Sequence, residues 1–385
     1  MSSHLRTILG AGASAALVLS LAACSPSGGE DGADAAAGDA VRFGIALPDT
    51  GNSAQYGEYF RQGFDLALEE INAAGGVQGH PVELVFEDTQ ADPAQAPQVA
   101  QKFVDDSSIL AVLGDFGTPA TSAASQIHQD AGLVQFAFSA SGGAVTDPGD
   151  FIFATWVSQE HEAPRLAEFA AQTGTQAAVF YHDTDWGQET YGYYQEGEQS
   201  SGIEEVYATA YDPASTDFRP LLLAARNANP DVIVLISYAA DGALITAQAR
   251  EIGIETPIVG ISSIYNQQFI ELAGDAAEGV QTLSYFTPEN DDATVQQFIA
   301  DFEAATGEPT PSDYAIRAYD ALYAVVQGAE RAEELTRQGL RDALDSGASF
   351  SSILYGEFTL DETRRVSDAE QFPLIIENGA FTIQR

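Results

Sequence analysis

The sequence has one cysteine and one lysine among 385 residues, and both scarcities limit what the protein can be. Because Cys24 is the only thiol, no disulfide within the chain can stabilise the fold, and a hydrophobic core must do so. Basic residues number 15 against 57 acidic ones, which gives a net charge of −42. Proteins that bind nucleic acid need basic surfaces to neutralise phosphates, so we expect no nucleic acid as a partner.

Long hydrophobic runs are equally scarce. The longest, at residues 8–21, has about 14 residues, whereas a membrane-spanning helix needs ~20. A weakly basic start precedes this run and Leu21-Ala22-Ala23-Cys24 ends it, an order typical of an export signal. The Leu-Ala-Ala-Cys ending resembles the lipobox of bacterial lipoproteins. That resemblance implies that residues 1–23 are a signal peptide, that Cys24 carries lipid, and that the protein is extracytoplasmic and anchored to the cell membrane.

The segment that follows differs in composition from the rest of the chain. Residues 24–40 are small, acidic and without periodicity, which predicts an acidic flexible linker. Hydrophobic residues make up 45% of the chain, as in an ordinary globular protein. A chain of this length is too long for one ordinary core, so we expect two lobes.

From residue 41 onward, short apolar runs alternate with amphipathic segments. Val41–Leu47 and Ile109–Leu113 are predicted strands from their apolar character. Val232–Ile236 is another, because short apolar runs are typical of parallel strands buried on both faces. Three helices are predicted over residues 293–344, and a late strand over residues 354–360. Because the β-α alternation restarts near residue 160, we predict an α/β fold with two doubly wound lobes.

Several segments together resemble a known family. They are residues 48–57 (PDTGNSAQYG), 70–79 (EINAAGGVQG), 87–93 (EDTQADP) and 272–279 (LAGDAAEG), with Asp185-Trp186-Gly187 between them. Their order and spacing are similar to those of the leucine/isoleucine/valine-binding family of ABC-transporter substrate-binding lipoproteins. The resemblance covers nearly all of residues 41–385.

The resemblance implies a type I periplasmic-binding-protein fold, in which two lobes are joined by a hinge that the chain crosses three times. Lobe 1 would comprise residues 41–156 and 289–367, and lobe 2 residues 157–288 and 368–385. The function implied is that of an ABC-importer component that binds a small polar solute, a branched-chain or other amino acid, by hinge closure. Its partners would be the solute, the permease subunits and, through Cys24, the membrane. A ligand-sensing component on the same fold is the alternative.

Two loops after predicted strands are candidate ligand sites, since ligands of open α/β sheets bind at the carboxyl ends of strands. Thr118 precedes Pro119 at a helix start, where free N–H groups favour a carboxylate. The resemblance assigns Thr118 to the ligand carboxylate; otherwise it only caps its helix. The next loop, 138–143, offers Ser139, Ser141 and Gly143 as contacts, or is an ordinary glycine-rich turn.

Aromatic side chains supply the other candidates. The resemblance places Tyr56 and Trp186 on opposite lobes, where facing rings would enclose a small apolar or flat group on closure. The alternative for both is core packing. Tyr238, which follows strand Val232–Ile236, is a further candidate from lobe 2.

One position departs from the family pattern. Ser262 stands where the amino-acid binders place a glutamate for the ligand ammonium, and a buried ammonium without an anionic partner is costly. Either another acid replaces it, with Asp115, Asp185 and Asp241 as candidates, or the ligand is an amide, a urea-like compound or a small carboxylic acid.

Motifs of catalysis are absent from the sequence. It contains no Gly-x-Ser-x-Gly, no His-Glu-x-x-His and no Gly-x-x-x-x-Gly-Lys. We therefore expect neither an enzyme nor a metal site nor a cofactor.

Overall fold

The computed structural model describes residues 40–366 and 369–385. The predicted signal peptide, Cys24 and all but the last residue of the predicted linker lie outside these residues, as does the predicted lobe boundary between residues 367 and 368. In the described part of the chain, no helix has both the length and the apolar character that crossing a membrane requires.

The first half of the chain builds a five-stranded parallel sheet with helices on both faces. Its strand order is β2-β1-β3-β4-β5. Strand β3 lies at its centre and is buried over its whole length, as its fully apolar sequence predicts. The elements are β1 (Val41–Leu47), α1 (Ala54–Ala73), β2 (Val82–Asp88), α2 (Ala96–Asp105), β3 (Ile109–Leu113), α3 (Thr118–Asp130), β4 (Val134–Ala137) and β5 (Ile152–Ala154).

A second sheet follows, with seven strands in the order β14-β13-β10-β9-β8-β6-β7. The strands from β10 to β7 are parallel, and the last two strands of the chain add to the sheet antiparallel. Its first elements are α4 (Gln159–Ala170), β6 (Gln176–His182), α5 (Asp185–Ser201), β7 (Glu204–Tyr211), α6 (Arg219–Asn227), β8 (Val232–Ile236), α7 (Ala239–Glu251), β9 (Ile258–Gly260), α8 (Gln267–Ala273) and β10 (Gln281–Ser284).

Three more helices and a hairpin then return to the first sheet before the chain ends in the second. These elements are α9 (Ala293–Thr306), α10 (Asp313–Arg331), α11 (Arg337–Leu344), β11 (Phe350–Ser352), β12 (Gly356–Phe358), β13 (Phe372–Glu377) and β14 (Ala380–Ile383). We call the first sheet with its helices lobe 1 and the second lobe 2. The chain passes between them after β5, after β10 and after β12; the residue limits predicted for the lobes stay predictions.

Helix α10 packs closely on α1 within lobe 1. A Cβ atom at Gly63 would lie 1.9 Å from the carbonyl oxygen of Ala315, so glycine is required for the two helices to approach this closely. Ser312 caps α10 by accepting a hydrogen bond from the Tyr314 N–H at 3.3 Å. The first turn of α10 is thereby held at the inner face of lobe 1, towards lobe 2.

The structure differs from the predicted elements in two ways. The strand predicted over residues 354–360 is only Gly356–Phe358, because Gly356 has a φ of 71° and starts the return strand of a hairpin. Five strands were not predicted, since three of them are only three residues long and the other two carry polar side chains: Ile152–Ala154, Ile258–Gly260, Phe350–Ser352, Glu204–Tyr211 and Gln281–Ser284.

Candidate functional site

A small cavity with about 20 Å³ of free space lies between the two lobes. Both lobes contribute to its wall, through the loops that follow strands and through the starts of three helices, α4, α5 and α10. The lining residues are Phe116, Ser139, Ser141, Trp156, Gln159, Glu162, Trp186, Tyr238, Ile261, Ser262, Ser263, Tyr314 and Arg317.

The loop after β4 brings two of the predicted residues to this cavity. Ser139 and Ser141 line it directly. Thr118 does not; its hydroxyl oxygen accepts a hydrogen bond from the Gly142 N–H at 3.0 Å. The Gly143 N–H likewise donates to the Glu189 carboxylate of lobe 2, at 3.0 Å. Thr118 and Gly143 thus shape the loop and join the lobes, whereas the two serines face the cavity.

Four aromatic rings form a continuous row across the cleft. Tyr56 stacks on Phe116 in lobe 1, with ring centroids 4.2 Å apart, and Trp186 stacks on Tyr238 in lobe 2, at 4.6 Å. The rings that meet across the cleft are Phe116 and Tyr238, 5.5 Å apart. Trp186 and Tyr238 line the cavity, while Tyr56 lies one ring behind Phe116.

Trp186 also connects the lobes by a polar contact. Its indole N–H donates to the hydroxyl oxygen of Ser141 at 3.2 Å. Because an indole that is 4% exposed needs a partner for its only donor, this bond fixes the ring against the lobe 1 loop.

Ser262 lines the cavity, and the acid beside it comes from elsewhere in the chain. Glu162, in the first turn of α4, is 2% exposed and faces the same cavity. Burial raises the pKa of Glu162, while the Ser262 hydroxyl and then the Arg317 guanidinium counteract this rise. Glu162 was not among the predicted site residues, because an acid in the first turn of a helix is also typical of a surface helix.

None of the three acids predicted to replace the missing glutamate lines this cavity. Asp115 faces a separate, mostly apolar cavity inside lobe 1, where burial raises its pKa to about 6. Asp241 accepts a hydrogen bond from the Tyr211 hydroxyl behind the ring of Tyr238. Asp185 is exposed at the start of α5.

Arg317 is the cation of the site. Its guanidinium lies 3.2 Å from the ring centroid of Trp156 and forms an ion pair with Asp313, and both charged side chains are 4% exposed. Burial lowers the pKa of Arg317, but the carboxylate of Asp313 more than compensates and holds the guanidinium charged. The sequence carried only a weak signal for this pair, the i,i+4 spacing of opposite charges, which is equally common on exposed helix faces.

Some polar atoms at the cavity have no partner. Glu162 Oε1 and Gln159 Oε1 are buried without a hydrogen bond among the described residues, although Gln159 Nε2 donates to the other Glu162 oxygen at 2.9 Å. Both unpaired atoms are acceptors. Such groups are costly to bury unless something supplies a donor. Over residues 40–366 and 369–385, no group of three or more His, Cys, Asp or Glu side chains is placed to hold a metal ion.

Comparison with known proteins identifies the family. Residues 40–370 match the family model described as "Periplasmic binding protein". A Leu-, Ile-, Val-, Thr- and Ala-binding protein of Pseudomonas aeruginosa is 28% identical over 311 residues, which cover 80% of this chain and 83% of the relative.

Solved structures agree with this assignment. The branched-chain amino acid transporter substrate-binding protein LivJ of Streptococcus pneumoniae, in complex with isoleucine, is 26% identical, has a TM-score of 0.82 and matches over 89% of this chain and 98% of its own. A solute-binding protein of Rhodopseudomonas palustris in complex with 3,4-dihydroxybenzoic acid shares the fold, at 22% identity and a TM-score of 0.81, over 89% of this chain and 95% of its own.

The family match covers more than half of the chain, so the chain belongs to the periplasmic binding protein family. The predicted family resemblance and the predicted two-lobed α/β fold of type I are thereby confirmed. The family also confirms that the protein binds a solute for an ABC transporter and is not an enzyme.

Proposed function

Taking membership of the periplasmic binding protein family as the premise, we propose that the cavity between the lobes holds a branched-chain or other small amino acid for delivery to importer permease subunits. The observation that carries the proposal is the composition of this one cavity, where aromatic rings and hydrogen-bonding side chains from both lobes face each other. Such a mixture suits a small solute with an apolar part and a polar head group.

The free space between the closed lobes is small. About 20 Å³ is open, roughly the room that one water molecule needs, so a solute has to part the lobes in order to enter. The apolar wall is aromatic, from Phe116, Tyr238 and Trp186. The hydroxyl groups of Ser139 and Ser141 lie on the opposite side of the cleft from Ser262, so a solute in the cavity contacts both lobes at once.

Contacts between the lobes support a closing mechanism. Beside the Trp186–Ser141 bond, the side-chain amide of Gln55 in lobe 1 donates to Gln268 Oε1 in lobe 2 at 2.7 Å. The Gly143–Glu189 bond is a third link. Each of these bonds breaks when the lobes separate, so a solute that contacts both lobes stabilises the closed form by its differential affinity.

Attachment of the protein to the cell membrane through Cys24 is also part of the proposal. A net charge of −42 opposes attraction to anionic lipid head groups, so electrostatics alone would not keep the protein at a membrane. Lipid on Cys24 would supply the attachment. Substituting Cys24→Ser should move the protein from the membrane fraction to the soluble extracytoplasmic fraction; unchanged membrane association would contradict the anchor.

A thermal-shift screen tests the proposed ligand class. The panel is leucine, isoleucine, valine, alanine, acetamide, urea and small carboxylates, added to protein that has been stripped of co-purified solute. A solute at about 100 times its dissociation constant adds ~2.7 kcal/mol to the free energy of unfolding and raises the melting temperature. We expect such a rise with at least one amino acid. Absence of any shift across the panel would contradict the proposal.

A further inference from the structure

Two buried acceptor atoms at the cavity have no donor among residues 40–366 and 369–385, and they lie on neighbouring side chains. Glu162 and Gln159 are each 2% exposed, share one hydrogen bond, and leave Glu162 Oε1 and Gln159 Oε1 unpaired. Both side chains line the cavity. In an open cleft, bulk water would donate hydrogen bonds to these atoms. In the closed protein, the missing donors have to come from whatever occupies the cavity.

The charges around these atoms favour a cation. Arg317 is already paired with Asp313, and its guanidinium covers the ring of Trp156. Counting Glu162 and Asp313 as negative and Arg317 as positive, the buried group carries a net charge of −1. A buried charge that is not neutralised is costly, and an ammonium offers both the opposite charge and three N–H donors.

We propose that Glu162, together with Gln159, binds the protonated amine of the solute, and that the solute class is therefore a small primary amine carrying a carboxylate rather than a carboxylic acid without an amine. This rests on the proposed function, because it assumes that the interlobe cavity is where the solute binds. Arg317 also lines the cavity, so the carboxylate of the same solute has a positively charged neighbour.

The arrangement also accounts for Ser262. Ser262 lies beside Glu162 at the cavity, and its hydroxyl interacts with the Glu162 carboxylate. Because α4 supplies the acid, position 262 does not need a glutamate. The acid has a different place in the chain. Burial raises the pKa of Glu162, and an ammonium in contact with the carboxylate would favour its ionised form again.

Isothermal titration calorimetry of the purified protein tests the proposal with matched pairs of probes. Each amino acid is compared with the same skeleton without its amine: leucine with 4-methylpentanoate, valine with 3-methylbutanoate, alanine with propanoate. We expect the best-binding amino acid to bind at least roughly 30-fold more tightly than its partner, since removing one member of a buried charged pair has large effects. Equal affinity within the pair would overturn the proposal.

Glu162→Gln is the matched variant, with Glu168→Gln as control, because Glu168 lies on the same helix but is exposed. Glu162→Gln should weaken binding of the amino acid by roughly 30-fold or more, and Glu168→Gln should change it less than twofold. The stability of the solute-free protein should be unchanged or higher, since the replaced oxygen has no partner. Retained affinity in Glu162→Gln would overturn the proposal.

Failure of the inference is distinguishable from failure of the proposed function. If only the amine-free acids bind, the cavity is a solute site but the assignment of Glu162 is wrong. If none of the six probes binds, the proposed function and the inference both fail. Should Glu162→Gln not fold, the paired probes on the unaltered protein decide the question by themselves.

Discussion

The rim and the floor of the cleft use polar side chains in opposite ways. The rim comprises Gln55, Gly143, Glu189 and Gln268. Each of these residues makes a hydrogen bond to the other lobe. At the floor, some polar atoms have no partner in the part of the chain that the structure describes. The floor comprises Gln159, Glu162, Ser262 and Arg317. The rim therefore stabilises closure whatever the solute is, whereas the floor stabilises closure only with a solute that supplies the missing bonds.

This difference separates affinity from selectivity. A rim variant should weaken binding of every solute by a similar factor, because it changes only the free energy of the closed form. A floor variant should change the ranking of solutes, because it changes the chemistry that they meet. The predictions that follow test this separation, beginning with the largest expected effect.

The largest effect is expected at the floor, on stability. Arg317→Met leaves Asp313 buried without its partner, and breaking a buried ion pair in this way costs about 3–5 kcal/mol. Urea denaturation of the solute-free protein should show this loss. The double variant Asp313→Asn/Arg317→Met should recover most of it, since no unpaired charge is left. A single variant that loses less than about 1 kcal/mol would show that the pair is not buried as described.

The next effect concerns a buried acid that belongs to neither the rim nor the floor. Burial raises the pKa of Asp241, behind Tyr238, from 3.8 to about 6. An acid whose pKa is raised on folding favours the folded state at low pH and loses this contribution as the pH rises through 6. Between pH 4.5 and pH 7, the free energy of unfolding of the unaltered protein should fall by roughly 2 kcal/mol relative to Asp241→Asn.

The measurement is urea denaturation at both pH values. Asp275→Asn is the control, because Asp275 is exposed, and it should follow the unaltered protein at both pH values. Parallel pH dependence of Asp241→Asn and the unaltered protein would contradict the raised pKa.

At the rim, a moderate and uniform effect is expected. Glu189→Ala removes the acceptor for the Gly143 N–H, a bond between the lobes worth about 1 kcal/mol. All solutes that bind should lose affinity by about five- to tenfold, measured by calorimetry, with their order unchanged. Glu196→Ala, an exposed site on the same helix, should leave affinity unaltered. A change in the order of solutes would show that Glu189 belongs functionally to the floor.

The smallest effect is expected for the amide pair at the rim. A double-mutant cycle of Gln55→Ala and Gln268→Ala should give a coupling of about 0.5–1 kcal/mol in the binding free energy, since the two half-buried amides bond only in the closed form. Zero coupling would mean that this pair does not contribute to closure.

The general fold could be predicted from the sequence because its central strands are short and fully apolar. Ile109–Leu113 and Val232–Ile236 are buried at every residue. A strand needs apolar side chains on both of its faces only when helices cover both faces of the sheet. Strands without this signature could not be found. Gln281–Ser284 has three polar residues and one leucine, and it depends on its neighbours in the sheet rather than on its own hydrophobicity.

The same contrast holds for the site. Ser139, Ser141 and Tyr238 were predicted from their positions after strands, and Trp186 and Ser262 from the family resemblance; all five line the cavity. Glu162 and Arg317 could not be predicted. Each is a charged residue in the first turns of a helix, and a sequence does not reveal that the helix start is covered by the other lobe.

The most direct test is a crystal structure of the protein with the amino acid that binds best. The account predicts that the solute lies in the closed cleft against the rings that line it, with its nitrogen within about 3.2 Å of Glu162 Oε1 and of Gln159 Oε1. A solute bound outside the cleft, or bound inside it with its nitrogen turned away from Glu162, would contradict the account.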